Sequence, residues 1–85
     1  GSWVVDAVVS LDDFREATGI VGRFPGEGSG RFTALSGFMM RTLGRIPAEG
    51  DRVEALGHVF EVVDMDGHRL DKLLVMPKAT PPTPA

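Results

Sequence analysis

The sequence predicts an α+β fold: a small mixed or antiparallel sheet in the order β-α-α-β-β-β, with two short helices packed on one face. Three observations predict it. Residues 51–76 form strand-like runs divided by Gly57 and by Asp66-Gly67. A β-branched, aromatic-led run opens the chain at Trp3-Val4-Val5. Between them, two segments place apolar residues at helical spacing, each with a capping residue before it and a glycine after it.

Trp3-Val4-Val5-Asp6-Ala7-Val8-Val9 reads as the first strand. Ser10 then offers an N-cap oxygen, and Asp13 stands where a carboxylate can reach back to the Ser10 amide, a capping box with Asp in place of Glu or Gln. Asp12 and Asp13 also suit the positive end of the helix dipole. Leu11, Phe14 and Ala17 make one narrow apolar stripe, and Gly19 is placed to end the helix in a left-handed cap.

Residues 20–32 hold four glycines and Pro25 and read as a flexible surface loop. Thr33 can cap a second helix, with Leu35, Phe38, Met39 and Leu43 as its apolar positions. Gly37 within it costs about 1 kcal/mol relative to Ala, which a close approach to the sheet would explain. Gly44 stops this helix, and Pro47 prevents its resumption.

The closing strands fall at approximately 51–56, 58–65 and 68–76. With Asp66-Gly67 as a two-residue type I′ turn, Met65 faces His68, Asp64 faces Arg69, Glu61 faces Lys72 and Phe60 faces Leu73. One face of this hairpin then carries Val59, Val63, Met65, Leu70 and Leu74, and the other carries Phe60, Val62, Leu73 and Val75. Both faces are apolar, whereas an antiparallel sheet with one wet side alternates cleanly. Two short helices cover one side only. The expectation is therefore a docking interface at Phe60, Val62, Leu73 and Val75, occupied by a neighbouring module or a second copy in a homodimer.

Composition narrows the function classes. Eighty-five residues make one small domain, and a chain near this size buries only about 60–70% of its unfolded surface. With no cysteine, disulfides, thiolate catalysis and Cys-ligated zinc or iron–sulfur sites are excluded. No apolar run approaches the roughly 20 residues that span a bilayer, so direct membrane insertion is not expected. The chain lacks an initiator Met and a signal-peptide pattern and reads as a piece of a longer protein. Net charge is −3, with a +3 middle, residues 20–45, between acidic ends. Those arginines read first as a solvated face. A pI near 5.2 and the absence of a basic stripe interleaved with aromatics exclude nucleic-acid binding.

Candidate chemistry is sparse. Gly26-Glu27-Gly28-Ser29-Gly30 lacks the Lys-Ser/Thr ending of a phosphate-binding loop. Asp64-Met65-Asp66-Gly67-His68 resembles a cation loop, yet lacks the third ligand and the closing Glu of an EF-hand. His58 and His68 show no ligand spacing, and no nucleophile has a base beside it in any catalytic motif. Hence no catalytic residue, cofactor site or metal site is assigned, and an enzyme is not expected. Pro77 to Ala85 cannot bury a core and reads as a disordered Pro-rich tail, with Pro81-Pro82-Thr83-Pro84 a weak SH3-type ligand.

One ordered set of motifs carries a family resemblance: Gly44-Arg45-Ile46-Pro47, Gly50-Asp51, Gly57, Phe60-Glu61-Val62, Met65-Asp66-Gly67, Arg69-Leu70-Asp71-Lys72 and Val75. With Gly1-Ser2-Trp3-Val4-Val5-Asp6-Ala7 and Ser10-Leu11-Asp12-Asp13-Phe14 ahead of it, residues 1–76 resemble the transporter-associated domain. This is the C-terminal module of the CorC/HlyC haemolysin-like, CBS-containing membrane proteins. Two departures stand out: Ala7 where Gly is frequent, and the glycine-rich 26–30 where the family is usually acidic.

The resemblance implies a fold similar to the C-terminal domain of certain FAD-linked oxidoreductases. It implies upstream CBS and transmembrane domains, a place on the cytoplasmic face of the membrane, and a parent implicated in magnesium and cobalt efflux. The expected function is a non-catalytic accessory or regulatory domain acting through protein contacts. The alternative is a sensor for an adenine-type nucleotide or a divalent cation, near the arginine-rich middle or Asp64 and Asp66.

Overall fold

In the computed structural model, which describes residues 2–30 and 32–78, the order of elements is the expected one. Strand β1 (Trp3–Asp6) leads to helix α1 (Leu11–Thr18) and helix α2 (Leu35–Leu43), then to β2 (Arg52–Ala55), β3 (His58–Asp66) and β4 (Arg69–Pro77). The four strands form one sheet in the order β1-β4-β3-β2, and every pairing is antiparallel.

Local signals explain the helix ends. The Ser10 hydroxyl accepts from the Asp13 N–H at 3.0 Å, and Gly19 closes α1 in the left-handed region at φ 74°. The apolar stripe of α1 is Leu11 and Phe14; Ala17 is exposed, and Thr18, one position on, completes that face. For α2 the N-cap is Ala34 rather than Thr33, and no side chain caps it. The Leu35 and Ser36 N–H groups instead donate to the carbonyls of Val9 and Ala7. The turn after β1 thus satisfies two of the donors that every helix start leaves open.

The core lies between these helices and one face of the sheet. Phe60 is its centre: the Phe14, Phe24 and Phe38 rings have centroids 5.6, 5.7 and 6.0 Å from its own. Phe60, Val62, Leu73 and Val75 are all sealed from solvent, with at most 1% exposure. The expectation that they form a docking surface is corrected: they face the helices, and that side of the sheet is the covered one.

The hairpin register is corrected too. The pairs are Asp66 with Arg69, Met65 with Leu70, Val62 with Leu73, Glu61 with Leu74 and Phe60 with Val75. The two-residue loop is Gly67-His68, in which only Gly67 takes positive φ, at 64°. That is the type II′ pattern, which needs left-handed backbone at its first central residue alone. A turn at Asp66-Gly67 would have forced Asp66 there as well. The shift moves the pairing by two residues and therefore preserves the faces from Phe60 to Val62 and from Leu73 to Val75.

Nearer the turn the faces do change. The register is irregular between Val62 and Met65, where Asp64 lies opposite Lys72. Each strand takes three residues, not two, between successive inward side chains, from Val62 to Met65 and from Leu70 to Leu73. Leu70 is consequently buried, and Met65 packs against the core. Strict alternation would instead put both on the side of Val59, Val63 and Leu74.

The loop at residues 20–32 is built, not slack. Ile20, Phe24 and Phe32 are buried, and a 3₁₀ turn spans Glu27–Ser29. Strand β4 runs through Pro77, and the Lys78 N–H donates to the Gly57 carbonyl, so the sheet extends past residue 76. Residues 79–85, where most of the proline-rich tail was expected, lie outside the described residues.

Candidate functional site

Because the helices occupy one side of the sheet, the other side is the surface available for contact. Alternation places Val4 and Asp6 there from β1, with Trp3 and Val5 turned to the core. The register sets Val4 beside Leu74, Leu74 beside Glu61, and Glu61 beside Arg52. A second row holds Met76, Val59 and Glu54. Val4 is 64% exposed and Val63 38%, whereas Val59, Leu74 and Met76 are half-buried by their neighbours. The result is an apolar strip on a sheet face that no helix or strand among the described residues covers.

Ion pairs frame that strip. Lys72 Nζ reaches Asp6 at 2.8 Å, Arg52 Nε reaches Glu61 at 2.7 Å, and Lys78 Nζ reaches Glu54 at 2.9 Å. Asp6 is the main reason the Lys72 pKa is raised. At the turn end the charges are less balanced. The neighbouring Asp71 carboxyl is the chief reason the Asp64 pKa lies above the ordinary aspartate value; desolvation and the charge of Glu49 push the same way. The expected Asp64–Arg69 and Glu61–Lys72 partnerships are absent from this arrangement, since Lys72 turns to β1 and Glu61 to β2.

The other flagged residues resolve into structure. Arg45 grips Asp51 with two bonds of 2.8 Å, and the Ala48 N–H donates to the same carboxylate. Together they hold the Asp51 pKa below the ordinary value. The words Gly44-Arg45-Ile46-Pro47 and Gly50-Asp51 therefore spell a clamp that shapes the crossing from α2 to β2. His58 Nδ1 lies 2.9 Å from the Leu56 carbonyl and its ring stands 6.0 Å from Trp3, while His68 is exposed in the turn. Asp64 and Asp66 do not converge with a third ligand: among the described residues no group of three His, Cys, Asp or Glu is placed to hold a metal ion.

The glycine-rich loop surrounds a carboxylate instead of cradling a phosphate. Glu27 accepts from Arg15 at 2.9 and 2.7 Å and from the Phe24 N–H at 2.9 Å. A shallow cavity of about 160 Å³ lies beside it, lined by residues that include Leu11, Asp12, Phe32 and Thr33. Both of its carboxylates, Asp12 and Glu27, are already held by Arg15.

Sequence reasoning missed Val4, Glu49 and Asp71. The signal for Val4 was present in the alternation Val4-Val5-Asp6, which puts Val4 on the face of a charged residue. Nothing local foretold Asp71, because its position beside Asp64 depends on the irregular register.

The comparisons agree with this geometry. The profile of the family described as transporter associated domain (CorC_HlyC) matches residues 1–79. The polyamine export protein of Salmonella typhimurium is 43% identical over 74 residues, 87% of this chain and 16% of that protein. The magnesium and cobalt efflux protein CorC of Escherichia coli is 32% identical over 69 residues, 81% of this chain and 22% of that protein. The chain thus spans less than a quarter of these curated relatives' length. Among solved structures, the transporter associated domain of a Xylella fastidiosa hemolysin superposes with a TM-score of 0.77 at 30% identity, covering 93% of this chain and 88% of that one. The same Xylella domain is also known in complex with Mg++ and Mn++. Among the described residues, no helix is long and apolar enough to cross a membrane. With the family profile spanning nearly the whole chain and the fold matching solved members, the chain belongs to the CorC/HlyC family as a transporter-associated domain.

Proposed function

We propose that this is a non-catalytic accessory domain of a cation-exporting membrane protein, set on the cytoplasmic side beside CBS and membrane-spanning domains. It acts through protein contacts made by the uncovered face of the sheet. The exported cargo is a polyamine or a divalent metal, the two kinds named for its relatives. One observation carries the reading: Val4 and Val63 stand exposed on a sheet face whose opposite side already holds both helices. An apolar patch rimmed by charge marks a contact surface.

The test is a chimaera in which this domain replaces the corresponding segment of the Salmonella polyamine export protein. Polyamine efflux should survive the exchange. It should fall when Val4→Lys and Val63→Glu are added, with the isolated domain still folded by circular dichroism. Efflux unchanged by that pair would overturn a role for the face.

A second reading, cation sensing, is favoured by the Mg++ and Mn++ complex of the Xylella domain. Asp64 and Asp71 are where it would act. Thermal shift of this chain against Mg²⁺, Mn²⁺, Co²⁺ and ATP decides it, since a sensor must be stabilised by millimolar ligand.

A further inference from the structure

The charges around the apolar strip are not random. Arg52, Lys72 and Lys78 each have an acidic partner, in Glu61, Asp6 and Glu54. Once those pairs are formed, negative charge is left over at the turn end of the same face: Asp64 lies opposite Lys72 in the β3–β4 register, beside Asp71, and Glu49 is near enough to add its charge. The nearest cation to this group, Lys72, lies 3.8 Å from Asp71 but is committed to Asp6 at 2.8 Å. Like charges side by side on neighbouring strands weaken a sheet. The isolated domain therefore carries a local conflict that an added cation would relieve.

Resting on the docking reading above, we propose that this face takes a basic amphipathic segment of a protein partner. Its apolar side covers Val4, Val63 and Leu74, and a lysine or arginine lies among Asp64, Asp71 and Glu49. Chemistry selects this occupant over others. An anionic membrane surface or a nucleic acid would be repelled by the surplus carboxylates. A bare metal ion would leave the apolar strip wet, and no three-ligand set exists among the described residues. A helix with one apolar side and lysines at its flank satisfies both the strip and the charge. Charge complementarity of this kind sets register and partner choice more than it adds raw affinity.

The elevated proton affinity of Asp64 fits the same picture.

The test uses this chain, isotope-labelled, with two helical peptides of about 18 residues, five turns long. One pairs leucines with lysines, and the other has glutamate at every lysine position. The lysine peptide should shift amide signals around Val4, Val63, Asp71 and Leu74. The double variant Asp64→Asn, Asp71→Asn should bind it at least about tenfold more weakly, the size of one lost charge contact near 1.4 kcal/mol, while melting no earlier than the parent. Equal binding of both peptides to that face would overturn the cationic partner and leave the docking reading standing. If neither peptide moves those signals, or the shifts map to another surface, both readings fail. Binding of phosphatidylserine vesicles in preference to the lysine peptide would overturn the proposal in favour of a membrane. Relief of the Asp64–Asp71 conflict by Mn²⁺ alone, with no peptide effect, would overturn it in favour of a metal ion.

Discussion

Arg15 on α1 and Glu27 in the glycine-rich loop form a two-bond fork of 2.9 and 2.7 Å, with both side chains about one-fifth exposed. The fork straps residues 20–30 to the first helix and carries Phe24 into the core. The Arg15 hydrogen bonds are the chief reason the Glu27 pKa lies below the ordinary glutamate value. A carboxylate whose pKa is depressed on folding stabilises the fold above its unfolded value, and that contribution fades as pH falls through its folded value. Glu27→Gln should therefore cost roughly 1–3 kcal/mol at neutral pH. Urea midpoints taken from neutral pH downwards should converge for parent and variant in acid. A constant gap at every pH would show that the charge is not what holds the loop.

Gly37 faces Phe32 at the start of α2. A Cβ built there would stand 2.7 Å from the Phe32 Cβ, closer than carbon atoms approach. Two effects of Gly37→Ala oppose each other. Helix propensity favours alanine by about 1 kcal/mol, whereas overpacking a well-filled core costs roughly 1–3 kcal/mol. The clash involves Phe32 close to its backbone, so it should win. Chemical denaturation should show a net loss of stability, and a stabilised variant would mean that the loop yields easily.

Asp64 has the opposite pH behaviour to Glu27. Its folded pKa is raised, first by the neighbouring Asp71 carboxyl. A carboxyl raised on folding favours the fold while protonated, and that advantage disappears as pH rises above the folded value. Asp64→Asn should consequently raise the melting temperature at neutral pH, with the gain shrinking on acidification. A neutral-pH melt no higher than the parent's would argue against crowding of the two carboxyls.

Phe60 and Leu73 decide folding rather than association. Both are fully buried, and Phe60 touches three other phenylalanine rings. Phe60→Ala should cost about 3–5 kcal/mol, a large share of the roughly 5–15 kcal/mol available to a small domain. Phe60→Asp or Leu73→Asp should abolish cooperative unfolding altogether. A folded Phe60→Asp variant would restore the idea that this side of the sheet is free to dock.

Much of the fold was legible because its signals are local. Ser10 and Gly19 mark the ends of α1, Gly44 ends α2, and the glycine in each hairpin turn takes the positive φ expected of it. The arrangement β-α-α-β-β-β followed from that punctuation. Even the two-sided greasiness of the last hairpin was real: Phe60, Val62, Leu73 and Val75 face one side, with Val59, Val63 and Leu74 on the other.

What the residues could not say was which side the helices choose. Both faces of the strands are apolar, so hydrophobicity alone left the choice open, and three phenylalanine rings resolved it by packing together around Phe60. The candidate site suffered the same ambiguity and one more. Asp64 and Asp71 became neighbours only through an irregular register between two strands, a long-range relation with no local signature. Sequence determined the elements, their order and the family; tertiary packing decided the strand limits, the inward face, the exposed strip and the surplus charge. The physical reason is that caps and turns act over a few residues, whereas face choice and register depend on contacts between distant segments.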